Sequence, residues 1–256
     1  MTEPINDLDH DSVVPERTAI FLDFDGTLVE FADHPNFVQL APETRDAIRN
    51  AYHAVDGALA IITGRNITDI DQYFAPLRLP VAGVHGLTRR GAKGELHNAT
   101  TNASVLSAIA DELENQLTGE EGLLIERKSG SIALHYRLRP DLEETCVAAV
   151  DRAVAAAESI HLMRGKMVIE AKIDGCNKGN AVEDFLSEQP FSGRVPLFAG
   201  DDVTDEDAFQ VVNALNGITI KVGPGDTHAQ YRAKSTADFL DWLYRLANHR
   251  TEGTKP

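Results

Sequence analysis

The sequence predicts an α/β fold: a Rossmann-like parallel-sheet core interrupted by a smaller inserted α/β domain. Three observations carry that expectation. Short apolar runs rich in β-formers alternate with helical patterns toward both ends of the chain, the mark of βαβ units with right-handed crossovers. Between them, residues 91–172 change to an αββαββ order with glycine-marked turns, which reads as a short antiparallel sheet with two helices on one face. The apolar runs outside that insert end in polar or acidic residues, and open parallel sheets bind ligands at the carboxyl ends of their strands.

Residues 1–17 are acidic and broken by Pro4 and Pro15, and are expected as a flexible tail. The run 18–23 is a buried strand, and a helix follows Pro42 with Ile48, Ala51, Tyr52 and Val55 on one face. A strand at 58–62, a helix at 67–74 and a strand at 81–84 continue the alternation, and 89–95 reads as a polar turn region. The insert has a helix at 104–117, strands at 123–128 and 132–139, a helix at 142–157, and strands at 160–163 and 167–171. The first pattern then returns, with helices at 178–187, 205–212 and 237–246 and strands at 195–199 and 218–222. The expected division is a core of 18–90 with 173–256 and an inserted domain of 91–172.

Composition narrows the function. The 256 residues are 43% hydrophobic and 25% charged, as in ordinary globular proteins. Forty acidic against twenty-four basic residues leave a formal charge of −16, the wrong sign for a general nucleic-acid binder. That charge repels anionic small molecules, so an anionic substrate needs a local cation. No apolar run approaches the roughly 18 residues of a membrane span. The N-terminus lacks signal-peptide regions, and the two cysteines, Cys146 and Cys176, have no CxxC pairing. A cytoplasmic location is expected.

Four segments carry chemistry. The first strand ends Asp23-Phe-Asp25-Gly26-Thr27, where residues two apart on an extended segment point the same way and the glycine permits a tight turn. Such a carboxylate pair repels unless a cation lies between, and oxygen-only ligands favour Mg²⁺. An Asp-Gly turn is also common as a solvated cap. The second strand ends Thr63-Gly64-Arg65 at a helix start, suited to a phosphate or simply to an N-cap. Lys178 opens the helix after the insert, where its ammonium can neutralise a phosphoryl oxygen or merely be solvated. The segment Gly200-Asp201-Asp202-Val-Thr-Asp205-Glu-Asp207 has more acids than a helix cap needs.

Taken together and in this order, the four segments resemble the haloacid-dehalogenase (HAD) phosphohydrolase superfamily, and the insert matches that superfamily's larger α/β cap type. The ten residues from Gly200 to Phe209 are similar to the final motif of the trehalose-6-phosphate phosphatase family. Leu22-Asp-Phe-Asp-Gly-Thr-Leu28, Ile62-Thr-Gly-Arg65, Gly83-Val-His-Gly86, Glu126-Arg-Lys128, Ala133-Leu-His-Tyr-Arg137 and Asn177-Lys-Gly-Asn180 agree with it. The similarity covers nearly everything from Thr18 to Leu246.

The resemblance implies phosphoryl transfer through an aspartyl-phosphate, with Asp23 as nucleophile and Asp25 as general acid and base. It implies Mg²⁺ held by Asp23, the Asp25 backbone carbonyl and Asp201, with Thr63 and Lys178 on the phosphoryl oxygens and Asp202 and Asp205 as supporting groups. Asp205 is also a candidate metal ligand. Arg65, His85, Arg89, Glu126, Lys128, Arg137 and Glu170 are candidate substrate contacts, although alternating charges on the insert equally describe a solvated sheet face. The implied substrate is a phosphorylated disaccharide, and a trehalose-6-phosphate synthase is an expected pathway partner. Other readings remain open here: a phosphatase for sucrose 6-phosphate, mannosyl-3-phosphoglycerate or a hexose phosphate, a phosphomutase, or a non-catalytic sugar-phosphate sensor.

Overall fold

The structure, a computed structural model, describes residues 2–30, 38–98, 100–128, 130–155, 157, 160–165, 167–173 and 177–248. The chain divides into two compact units, one of Met1–His97 with Asn177–Pro256 and one of Asn98–Cys176.

The first unit begins with β1 (Glu3–Pro4) and β2 (Thr18–Leu22), followed by α1 (Pro42–Ala54), β3 (Leu59–Ile62), α2 (Ile67–Phe74) and β4 (Val81–Gly83). A hairpin of β5 (Thr88–Arg90) and β6 (Leu96–Asn98) follows. In the second unit the order is α3 (Thr100–Gln116), β7 (Leu124–Lys128), β8 (Ser131–His135), α4 (Glu143–Val154), β9 (Ile160–Gly165) and β10 (Val168–Ile173). The chain then returns to the first unit with α5 (Lys178–Leu186), β11 (Val195–Gly200), α6 (Glu206–Ala214), β12 (Ile218–Val222), β13 (Tyr231–Ala233) and α7 (Thr236–Asn248).

The first unit is built on a nine-stranded sheet in the order β1-β13-β12-β11-β2-β3-β4-β5-β6. The strand pairs from β1 to β4 in this order are parallel, and β5 runs antiparallel to β4. The central strands read as continuous apolar runs because helices cover both faces of such a sheet. Every residue of β2 and β3 is buried. Three rings fix the packing beside β2: Phe21 lies 5.6 Å from Phe191, and Phe185 lies 5.0 Å from Phe191. Since β2 and β11 are adjacent in the middle of the sheet, Asp23 and Asp201 emerge side by side at their carboxyl ends.

Two expectations need correction in this unit. Residues 2–17, expected within a flexible tail, are ordered: β1 adds to the sheet beside β13, and Ile5, Leu8 and Val13 are buried in the core. His10 stacks on Trp242 of α7 at 5.5 Å, so the segment covers apolar surface that α7 leaves exposed on that side. The turn region 89–95 is a hairpin whose strands widen the first sheet, which moves the unit boundaries to 97/98 and 176/177.

The second unit is an antiparallel sheet in the order β7-β8-β10-β9. On one face Ile132, Leu134, Ile169 and Ala171 are buried, with α3 and α4 against the sheet. Alternation puts Glu126, Ser131, His135 and Glu170 on the other face, beside Leu124, Ala133 and Met163.

Candidate active site

Three carboxylates and one ammonium meet where the chain leaves β2 and β11. Asp23 follows β2 directly, and its amide donates to Ala199 O at 2.9 Å, locking it to β11. Lys178, the first residue of α5, is 2% exposed and reaches Asp23 Oδ1 at 2.9 Å and Asp205 Oδ1 at 2.7 Å. The helix start that aims it is capped by Asn177, whose side chain accepts from the Asn180 amide at 2.8 Å. Asp205 is fully buried, and its Oδ2 accepts from the Asp202 amide at 2.9 Å while the Asp202 side chain accepts from Val203. This reciprocal cap accounts for Asp202 and Asp205 among the acids after Gly200, and not for Asp201.

Asp201 stands between these groups and the turn after β2. Thr27 Oγ1 donates to Asp201 Oδ1 at 3.4 Å. Gly26, at φ +81°, passes so close to that carboxylate that any Cβ would collide with it. Oxygens of Asp23, Asp201 and Asp205 lie within 4.8 Å of one another.

The electrostatics show a shortage of positive charge. Burial pushes the Asp23 carboxyl well above its ordinary range, opposed by Lys178 and assisted by Asp205. Burial together with Asp205 pushes Asp201 up to about 6. Burial would lower the Lys178 ammonium, but Asp23 and Asp205 outweigh it and hold it charged. Three close carboxylates facing one cation, with hard oxygen donors only, fit a divalent ion such as Mg²⁺. A second group of potential ligands, Glu95, His97 and Glu188, contrasts with this one: two of its members are exposed, and Glu188 Oε1 already accepts from Arg89 at 2.7 Å.

Asp25 and Arg65 form a unit of their own. Arg65 Nε donates to Asp25 Oδ2 at 2.7 Å and Nη2 to Oδ1 at 2.6 Å, a bidentate fork. The guanidinium lies over the Phe24 and Tyr73 rings at 5.4 and 5.6 Å. Arg65, expected as a substrate contact, is therefore engaged with the acid two residues after Asp23. Thr63 is buried at the end of β3, and its Oγ1 accepts from the Arg65 amide at 3.2 Å, leaving its own O–H as a donor. His85 adjoins this turn: its amide donates to Thr63 O at 2.9 Å, and its ring is so close that a Cβ on Gly64 would meet Nε2 at 3.0 Å. Val84 and His85 both have positive φ, 52° and 56°, a strained arrangement for non-glycine residues beside a site.

Arg89 does not join this group. It pairs with Glu188 and lies over Phe185 at 5.0 Å, whereas Lys178 is at the opposite end of α5. Glu188 lies two residues past the end of α5, whose nine residues span about 13 Å at the helical rise. Arg89, expected as a substrate contact, is engaged here with Glu188 and, at 3.8 Å, with Asp184.

In the second unit Glu126, Ala133, Glu170 and Met163 stand directly opposite one another across the four strands. Ser131 Oγ donates to Glu170 Oε1 at 2.5 Å, and His135 Nε2 lies 2.9 Å from Glu126 Oε2. Lys128 ends β7 opposite Ser131, and its side chain lies outside the described part. Arg137 is exposed beyond the end of β8 and so is not on the strand row.

Sequence reasoning missed Lys221, a buried lysine of β12 whose Nζ donates to the Asp201 backbone carbonyl. Its signal was a lysine inside the apolar run Ile218-Thr-Ile-Lys-Val222, where a buried charge must have a partner.

A model of the trehalose-phosphatase family matches residues 21–239. This chain belongs to the trehalose-phosphatase family. It is 37% identical over 243 residues to the trehalose-6-phosphate phosphatase of Escherichia coli, covering 95% of this chain and 90% of that protein. Its fold is that of an Aspergillus fumigatus trehalose-6-phosphate phosphatase, with a TM-score of 0.78 at 22% identity, covering 97% of this chain and all of that one. A haloacid-dehalogenase-like hydrolase from B. subtilis shares the fold with a TM-score of 0.55 at 15% identity, covering 91% of this chain and 99% of that one. The family's members are phosphoric monoester hydrolases. Among the described residues no helix is long and apolar enough to cross a membrane.

Proposed function

We propose that the protein hydrolyses trehalose 6-phosphate to trehalose and inorganic phosphate. The observation that carries the chemistry is Asp23, a carboxylate fixed by Lys178 at the end of β2 in a chain matched along most of its length by a phosphatase family. Asp23 attacks phosphorus in line and forms an aspartyl-phosphate as the bond to the sugar oxygen breaks. Asp25 gives its proton to that oxygen. It then takes a proton from the water that attacks the acyl phosphate, which frees phosphate and restores Asp23.

Lys178 and Thr63 supply the donors for the remaining phosphoryl oxygens. Asp205 holds Lys178 in place, and Arg65, which bonds both Asp25 oxygens in this structure, keeps one of them oriented while the other carries the proton. Asp23, Asp201 and the Asp25 carbonyl, with Asp205 beside them, are the groups to hold Mg²⁺. Bound there, the ion offsets the charge of a dianionic phosphate facing a carboxylate nucleophile.

The glucose unit remote from phosphorus is read by the face of the second unit that carries Glu126 and Glu170, with these two as acceptors for sugar hydroxyls and Lys128 as a donor. His85 and Arg137 are further candidate contacts. The test is phosphate release from trehalose 6-phosphate, sucrose 6-phosphate, mannosyl-3-phosphoglycerate and glucose 6-phosphate, with Mg²⁺ and after exhaustive chelation. Trehalose 6-phosphate is expected to have the highest kcat/KM by at least about tenfold, one lost or gained polar contact being worth that much. Chelation is expected to abolish the activity and Mg²⁺ to restore it. A faster competing sugar, or full activity without metal, contradicts the proposal.

A further inference from the structure

The mechanism leaves one buried cation at the site without a role. Lys221 is 4% exposed, and its Cα partner across the parallel pair is Gly200, the last residue of β11. Its side chain therefore starts one residue from Asp201, and its Nζ donates to the Asp201 main-chain carbonyl. Burying an ammonium is costly unless the surroundings repay it with well-placed acceptors. Glu206 lies within electrostatic reach, yet its Oε2 is taken by the His228 amide at 2.8 Å and by His228 Nδ1 at 3.0 Å.

The Asp201 carboxylate is held by a long contact and by a hydrogen bond shared with Asp23, itself one of the acids to be aimed. Its contact with Thr27 is 3.4 Å, at the long limit for a hydrogen bond, and on its other side it packs against the Gly26 backbone, which offers contact but no side-chain bond. The direction in which this carboxylate leaves β11 is thus set by its backbone, and the backbone is pinned by Lys221.

We propose that Lys221 is a positioning residue for divalent-cation binding: by holding the Asp201 carbonyl it aims the Asp201 carboxylate at Asp23 and Asp205. The proposal rests on the reading of those three acids as Mg²⁺ ligands. Groups that orient a ligand from behind typically change metal affinity by about 10–100-fold when removed.

The test is calorimetric titration of Mg²⁺ into metal-free protein, with thermal unfolding of each variant recorded alongside. Lys221→Met and Lys221→Gln, whose stem is too short to reach, are each expected to weaken Mg²⁺ binding at least about tenfold. Lys221→Arg keeps a donor and recovers most of that loss. In turnover assays the Mg²⁺ concentration for half-maximal rate rises, and kcat at saturating Mg²⁺ falls much less. Glu206→Gln leaves the bond to Asp201 in place and keeps Mg²⁺ affinity within about twofold, the ordinary effect of a substitution without a direct role. Met and Gln variants that bind Mg²⁺ as the unaltered protein does, whatever their melting temperatures, overturn the role of Lys221 alone. So does a Glu206→Gln variant that loses as much affinity as they do, since Lys221 would then be a counterion for Glu206. A parent protein that binds no Mg²⁺ overturns the ligand reading and this proposal together.

Discussion

The two units of the chain handle charge in opposite ways. In the first, Asp23, Lys178 and Asp205 are almost wholly withdrawn from water and bond one another at 2.7–2.9 Å. In the second, the Glu126 and His135 side chains stay 46% and 34% exposed, and Arg127 pairs with Asp111 and Glu114 at the surface. Buried charges hold one geometry because any departure leaves an uncompensated ion. Exposed pairs are worth about 0–1 kcal/mol and rearrange readily. The first arrangement suits a reaction that must be aimed, and the second suits a surface whose polar groups acquire strength only when a ligand displaces water from them.

The sharpest way to break this contrast is Asp23→Asn. Activity toward every phosphomonoester is expected to fall by more than about 10³-fold, as for loss of a nucleophile that works within a unit. The circular dichroism spectrum should be retained, since Asp23 follows β2 rather than packing within it and Lys178 keeps Asp205 as a partner. Turnover within tenfold of the parent contradicts the assignment.

A smaller effect is expected from Arg65→Ala. Asp25 loses its bidentate partner but not its place in the chain, so kcat should fall roughly 10–100-fold with little change in KM, the cost of a misaimed proton donor. Arg65→Lys should recover part of it. An Arg65→Ala enzyme with unchanged kcat would mean that the fork is a resting contact opened before chemistry.

How far the sequence foretells this division depends on chain separation. The core motifs are contiguous and stand beside strands that read as apolar runs, so the positions of Asp23, Thr63, Lys178 and Asp201 at strand ends and a helix start are legible in the sequence alone. Helix 67–74 and strand 218–222 have the ends that their patterns predict. The short strands β1, β5, β6 and β13 escape sequence reading because two or three residues carry no period to detect. The N-terminal segment misleads for a related reason: Ile5, Leu8 and Val13 are buried separately among acids and prolines. The Asp25–Arg65 fork joins residues forty apart, and Lys221 meets Asp201 from twenty residues away. Neither pairing has a local pattern.

The third prediction moves away from the site and is the smallest in activity. Arg90 donates to both oxygens of Asp71, at 2.7 and 2.5 Å, and this hydrogen bonding holds the Asp71 carboxyl below its ordinary range. Asp71→Asn should cost roughly 2–3 kcal/mol of stability at pH 7, less than a fully buried pair because Asp71 keeps contact with water. It should leave kcat/KM unchanged. A depressed carboxyl stabilises the fold above its unfolded value, and that contribution disappears as pH falls through the folded value. The stability gap between parent and variant is therefore expected to hold at neutral pH and to close below about pH 4. Denaturant melts at a series of pH values check this, and a gap that widens on acidification contradicts it.

The central claim is that the first unit does the chemistry and the second reads the sugar. Its most direct test is kcat/KM for Glu126→Ala, Lys128→Ala and Glu170→Ala on two substrates, trehalose 6-phosphate and a small aryl phosphate. Each lost contact to a sugar hydroxyl is worth about 1–3 kcal/mol, so the disaccharide phosphate should lose about one to two decades, in kcat as well as affinity. The aryl phosphate, with no sugar to be read, should change at most a few-fold. Equal small losses on both substrates would reduce these residues to a solvated sheet face and contradict the claim.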